Sequence, residues 1–396
     1  MSEIRVDSIG NESNTGGPVL SGITTFSGQQ YFIPPTGTTA ERPSDCPPGS
    51  IRFNTDTAHL EYWQGSVWLE FEASSEELGG GNAGIGTTFS TGGTGTRGVI
   101  GGANSAPVFT NAIDYLSMST LGNTQDFGEL IQGAGMKGGA CSSNTRLVFA
   151  GGYTGSGKQN VMEFVTMSST GDAQDFGDQT AHGSTGRTQC IGLSNSTRGL
   201  FAAGQNSNGS PFFTNGISYI TIATKGDDID FGDALAATGG QSGCGSAIRG
   251  VYQLGTSPRA IDYVHFATTG NAQDFGDLAA NFGAPAGASN AIRGVFAGGN
   301  NNNNINYITI STTGNATDFG DLTLPRFEIA GLGSPTRAVF AGGSQEPASP
   351  FISNRIDYVQ IMTTGNAVFF GDLSYIDPTT QGRQPKGGSN GHGGLT

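Results

Sequence analysis

Positive charge is scarce in this sequence: 18 Lys and Arg stand against 32 Asp and Glu in 396 residues, a formal net charge of −14. Counterion release from phosphate backbones needs a basic surface, so this balance argues against a nucleic-acid partner. Long apolar runs are also missing. No window approaches 18 consecutive apolar residues, and MSEIRVDSIG lacks the charged and apolar regions of a signal peptide, so neither membrane insertion nor secretory export is expected. The four cysteines, Cys46, Cys141, Cys190 and Cys244, lie far apart with no CxxC spacing for zinc or redox chemistry, and are expected as free buried thiols. The four histidines, His59, His182, His265 and His392, show no metal-ligand spacing and no nucleophile or paired carboxylate in a shared motif. No metal, no cofactor and no catalytic residues are therefore expected. Glycine, by contrast, is abundant: 67 Gly and 16 Pro resist regular helix and turn the expectation to an all-β protein.

Three markers recur six times. The first is an Arg opening an apolar run that ends in small residues, as in TRLVFAGG at Arg146, IRGVFAGG at Arg293 and TRAVFAGG at Arg337, with further copies at Arg97, Arg198 and Arg249. The second is an aromatic-centred run such as AIDYVHF, centred on Tyr115, Phe164, Tyr219, Tyr263, Tyr307 and Tyr358. The third is Gly-Asn or Gly-Asp followed by DFG or its like, with Phe at 127, 176, 231, 275, 319 and 370, separated by 49, 55, 44, 44 and 51 residues. Runs this short and this rich in Val, Ile, Tyr, Phe and Thr are strands. A weaker run of small residues, such as IGLSNST or IAGLGSPT, precedes each Arg and supplies a fourth. Four short strands repeated every 44 to 55 residues predict a six-bladed β-propeller of four-stranded antiparallel blades over 91–396. The tail GRQPKGGSNGHGGLT echoes the small-residue strand and has no following Arg run, so it is expected to pair with TRGVIGG at Arg97 and close the ring.

Ahead of the repeats the texture changes. Residues 1–30 carry isolated apolar residues among Ser, Gly, Asn and Thr, and are expected to be extended and ordered only against a partner. Residues 31–73 contain GSIRFNTDTAHLEYWQGSVWLEF, which alternates around NTDT and WQGS and predicts a small β-meander module, marginal alone. Residues 74–90 are expected as a Gly/Ser-rich linker.

The double-glycine strand followed by an aromatic strand resembles the kelch family of propellers, though the Trp of that repeat is absent. The wording ITISTTGNATDFGDLT from Ile308 to Thr323, RAVFAGG from Arg337 to Gly343 and the early GSIRFNTDTAHLEYWQGSVW resemble virion structural and tail-fibre-like proteins of marine phages, notably those infecting cyanobacteria. The resemblance covers nearly the whole chain. It implies a phage virion appendage, a tail fibre or similar, assembled in the host cytoplasm. Residues 1–73 would dock to other virion proteins, the chain would form a homo-oligomer with a trimer favoured, and the propeller would recognise a host surface glycan or protein. The alternative is a structural adaptor or decoration of the neck, baseplate or capsid that binds no receptor.

Two motifs mislead. Six copies of DFG-like segments without HRD or VAIK exclude a kinase site and mark packing anchors. GYTGSGKQ, Gly152 to Gln159, lacks the terminal Ser or Thr of a P-loop and reads as a hairpin. Acidic pairs such as Asp175 and Asp178 are expected to be solvated or paired with the repeated Arg. Repeat length varies mostly between the first two markers, where Phe109, Phe212, Phe213 and Phe351 offer apolar faces and Asn301, Asn302 and Asn303 offer amides. These are the ligand-binding candidates.

Overall fold

The computed structural model describes residues 34–57, 59–70, 97–105, 108–132, 138–182, 186–206, 212–254, 259–279, 282–300, 302–345, 352–374 and 384–395. The extended segment at 1–30, the linker at 74–90, Asn301 and Phe351 lie outside them. The chain divides into two compact units, 1–82 and 83–396. No α-helix occurs among the described residues.

The first unit holds one four-stranded sheet. Ile51–Asn54, His59–Trp63 and Trp68–Glu70 form the expected antiparallel meander. A two-residue strand that the sequence pattern does not announce, Thr36–Gly37, adds in parallel to Ile51–Asn54. Alternation sorts the side chains cleanly onto two faces. One face carries Arg52, Asn54 and Glu61, buried beneath the segment that precedes the meander: Arg42 donates to Glu61 Oε2 at 2.6 Å, Arg52 Nη2 donates to the Thr38 carbonyl at 3.0 Å, and Trp68 Nε1 donates to the Pro43 carbonyl at 2.9 Å. The other face aligns Ile51, Tyr62 and Leu69 across three strands, with Ile51 48% and Leu69 38% exposed. The polarity is thus inverted. The three buried side chains of this unit are polar, and none of its described apolar side chains is buried.

The second unit contains six four-stranded antiparallel sheets arranged as propeller-like blades. Sheet 1 orders Lys386–Ser389, Arg97–Ser105, Val108–Ser117 and Gln125–Glu129, so the tail pairs with the first Arg run as the sequence predicts. Sheets 2 to 6 follow in chain order. Their first strands are Gly139–Ser142, Ile191–Ser194, Gly240–Gly245, Ala286–Ser289 and Ala330–Gly333. Each second strand starts at the repeat Arg, each third strand holds the repeat aromatic, and each fourth strand holds the DFG-like Phe. First strands lie against one another from sheet to sheet, and Ala330–Gly333 and Gly139–Ser142 both touch Lys386–Ser389. Six apolar clusters fill the spaces between neighbouring sheets. One joins Ile100, Leu116 and Met118 of sheet 1 to Leu332, Val339 and Ile356 of sheet 6.

The repeat wording has a three-part physical meaning. First, every third and fourth strand pair shifts register at one place, skipping the DFG-like Phe; such a bulge turns the extra side chain off the ladder. All six Phe are 2% exposed and sit edge-on to the repeat aromatic with ring centroids 5.8–6.0 Å apart. Second, the Gly-Asn or Gly-Asp turn docks on the preceding sheet. Its Gly N–H donates to the carbonyl of that sheet's Phe at 2.7–3.0 Å, six times, with Gly122 on Phe370 joining the last sheet to the first. The Asn or Asp side chain then accepts from the backbone N–H two residues beyond the Phe at 2.9–3.0 Å, again six times.

Third, each repeat Arg reaches forward. Its guanidinium stacks on the aromatic ring of its own sheet, 4.4–4.8 Å from the centroid, and Nη1 donates at 2.6–3.3 Å to a carbonyl at the end of the third strand of the next sheet. None of the six forms an ion pair among the described residues, so of the two expectations for the acidic positions the solvated one holds and pairing with these Arg does not. The carbonyls are nearer and fixed, whereas the carboxylates sit on the solvent side of the fourth strand.

Candidate binding face and central channel

Antiparallel order sets which loops share a face. A first strand starts where its neighbouring second strand ends, so the loops joining second to third strands lie on the same side as the crossovers that lead from one sheet to the next. Sheet-specific sequence concentrates there, while the opposite side carries the repeated Arg and Gly-Asn turns.

Three of these loops share a pattern that a strict repeat alignment obscures: Pro107-Val108-Phe109-Thr110-Asn111, Pro211-Phe212-Phe213-Thr214-Asn215 and Pro350-Phe351-Ile352-Ser353-Asn354. In each the Thr or Ser hydroxyl accepts from the N–H two residues on, at 3.0–3.2 Å, and the Asn carbonyl accepts from the residue after the fourth strand at 2.7 Å. In sheets 3 and 6 the loop also bridges back to the crossover through Gln205 with Thr188 and Ser344 with Phe327. A buried Arg anchors each of those crossovers. Arg326 donates to Asp357 Oδ2 at 2.6 Å and to the Gly342 carbonyl at 2.7 Å, and burial pulls its pKa down against the pull of Asp357. Arg187 holds Ser218, the Gly216 carbonyl at 3.1 Å and Asp228 at 3.4 Å.

The predicted ligand residues fall at separate points of this face. Phe109 is half-buried with its ring 6.0 Å from Tyr153 of sheet 2. Phe212 and Phe213 of sheet 3 are 48% and 37% exposed. Asn302 shapes a turn in sheet 5: its N–H donates to the Gly299 carbonyl at 2.9 Å and its Oδ1 accepts from the Asn304 N–H at 3.2 Å. Asn303 receives the Leu322 N–H on its carbonyl at 2.6 Å. The structure does not gather these residues into one pocket. Phe212 and Phe213 are the pair left most open for contact.

A channel-like cavity opens on the same face. Its wall is formed by the first strands of all six sheets, with Ala140, Gly192, Gly243, Gly287, Gly331 and Gly387 at one level and Ser142, Ser194, Gly245, Ser289, Gly333 and Ser389 at the next. Glycine is required sterically at Gly287 of the first level, where a Cβ would stand 2.5 Å from the Gly243 carbonyl oxygen. At the second level serines bind across the sheets, with Ser142 Oγ donating to the Ser389 carbonyl at 2.9 Å and Ser289 Oγ donating to the Gly245 carbonyl at 2.8 Å. The far end is stopped by the tail. His392 Nε2 donates to the Ser142 carbonyl at 2.9 Å, its Nδ1 accepts from the Gly394 N–H at 3.1 Å, and burial lowers its pKa. Gly393 and Gly394 lie against the Asn290 and Ser194 carbonyls.

At the open end stands Lys386, partly buried, with its pKa lowered by burial. Cys190 lies nearby. Burial raises the Cys141, Cys190 and Cys244 thiols, as suits inert core residues. Sequence reasoning missed Lys386 because its position follows from sheet 1 taking its first strand from the tail. No group of three or more His, Cys, Asp or Glu that could hold a metal occurs among the described residues. The GYTGSGKQ segment is the tip of the Arg146–Thr154 and Gly157–Thr166 hairpin, as expected.

No protein-family model matches the chain, and no curated protein matches it significantly.

Proposed function

We propose that the six sheets are the blades of one closed six-bladed propeller and that the chain is a non-enzymatic phage virion appendage protein. On this reading residues 1–73 dock to other virion proteins, the chain assembles as a trimer, and the loop face binds a host surface glycan or protein. The supporting observation is the division of labour between faces. One face repeats the same junctions six times, and the other carries nearly all sheet-specific loops, with Phe212 and Phe213 exposed on one of them. Variable loops on a rigid scaffold are where recognition resides. Aromatic faces suit sugar rings or apolar protein surface.

The test is binding of the fluorescently labelled full chain to candidate host cells beside a Phe212→Ser/Phe213→Ser variant. Saturable labelling that weakens at least tenfold in the variant is the expected outcome. A folded chain that labels no host cell but still incorporates into particles favours the adaptor or decoration role.

A further inference from the structure

The open end of the central channel has the makings of an anion site. The ladder register fixes which backbone groups face it. Ser334 N–H donates to the Arg337 carbonyl and Asn290 N–H to the Arg293 carbonyl at 2.8–3.1 Å, so hydrogen-bonded pairs fall on alternate residues counted back from that turn. Gly331 and Gly287 are then the non-bonded residues, with N–H and C=O turned away from their own sheet, and the same register applies to Gly192, Gly243 and Gly387. Five glycines and Ala140 therefore present a ring of backbone dipoles with almost no side chain to shield it. Such a ring has no net preference of sign.

Lys386 supplies one. It sits at the mouth, where the corresponding residues of the other sheets are Gly139, Ile191, Ser242, Ala286 and Ala330. Among the described residues its ammonium group makes no hydrogen bond and no ion pair. Glu328, the nearest carboxylate acting on it, is engaged elsewhere: its Oε1 accepts from Gln384 Nε2 at 2.5 Å and its Oε2 from Ser344 Oγ at 3.4 Å. Half-buried at the mouth and unpaired among the described residues, this cation gives the ring a positive sign that favours an anion. The cavity around it, of about 60 Å³, also touches Cys190, Ser242 and Ile329 and has room for a halide but not for a sugar.

We propose that Lys386 and the inward backbone amides of this ring hold a single small anion of chloride size at the mouth of the channel. The ion neutralises Lys386 where six first strands meet and so ties ion binding to the stability of that junction. The site is separate from the loop-borne recognition surface and stands whether or not that surface binds a host.

The test uses the full chain. Its melting temperature is followed while sodium chloride replaces sodium gluconate, whose anion is too large for the cavity, at constant ionic strength. A saturable rise of about 3 °C in chloride is expected, and Lys386→Met should abolish the chloride dependence. Crystals of the unaltered protein grown in bromide should show an anomalous peak within hydrogen-bond reach of Lys386 Nζ, a readout that survives if the variant misfolds. A chloride response equal in both proteins, or bromide absent from Lys386, overturns the proposal.

Discussion

One third-strand position in every sheet is polar and buried: Asp114, Glu163, Ser218, Asp262, Asn306 and Asp357 are each no more than 2% exposed. Each ties its sheet to the one before. Glu163 Oε2 accepts the Ile131 N–H at 2.6 Å, Asn306 Oδ1 accepts the Ala279 N–H at 2.9 Å, and Asp357 accepts from Thr323 Oγ1 at 2.7 Å as well as from Arg326. Asp262 is the under-satisfied member. It accepts the Leu235 N–H, its Oδ2 has no partner, and burial pushes its pKa up from 3.8 to about 6. The folded state then binds more protons than the unfolded state between those values, so this residue's contribution falls as pH rises through that window, and the full cost stands above it. Asn at this position already works in sheet 5. Asp262→Asn should therefore stabilise the protein by on the order of 1–2 kcal/mol at pH 8 and by close to nothing at pH 4. Urea denaturation at both pH values checks this, and an equal effect at both would refute the titration argument.

At the scale of the element, the Gly-Asn and Gly-Asp turn is the clasp between sheets, and it makes two substitutions differ sharply. Asn315→Ala removes the acceptor for the Asp277 N–H, 3.0 Å away, and should cost about 1 kcal/mol. Asn315→Asp should be nearly neutral, because Asp172 and Asp227 hold the same place elsewhere. Gly276→Ala should cost more, above about 2 kcal/mol, since the residue has φ +142° and its Cβ would stand 2.5 Å from the Gly314 oxygen. Denaturant midpoints of the three variants give the order directly. The strands and the Phe anchors were legible in the sequence because their signals are local: short apolar runs, an aromatic centre, a glycine turn. The clasp was not, because the Asn oxygen finds its N–H 38 residues away in another sheet. The small N-terminal sheet shows the same limit. Its alternation was plain, but the choice of the charged face as the buried one depends on Arg42, Thr38 and Pro43, which lie in a segment without periodicity. Among the candidate site residues, composition found the exposed Phe212 and Phe213. It could not find a ring assembled from one residue in each of six distant strands.

For the whole molecule, the decisive feature is that the tail supplies two things at once. Lys386–Ser389 completes sheet 1 by pairing with Arg97–Ser105, and His392 to Leu395 stop the channel against sheets 2 to 5. Every junction described above has a last-to-first counterpart: Gly122 on Phe370, Asn123 on Asp372, Arg337 on the Met118 and Ser119 carbonyls. In the closed ring proposed above these contacts cannot be lost one at a time without straining the rest, so the second unit should unfold in one transition. Removing residues 384–396 leaves sheet 1 with three strands, opens the Leu332 and Leu147 side chains that lie against Gly387 and Gly388, and exposes the serine level of the channel. The truncated chain should melt at least about 10 °C below the full chain and over a broader range, as expected when several kcal/mol are lost from a domain of this size. A synthetic 384–396 peptide added in trans should restore most of the difference, with a midpoint that depends on peptide concentration. Calorimetry of the three samples decides the matter: a truncated chain that melts like the full one would mean that the tail strand decorates an assembly held together without it.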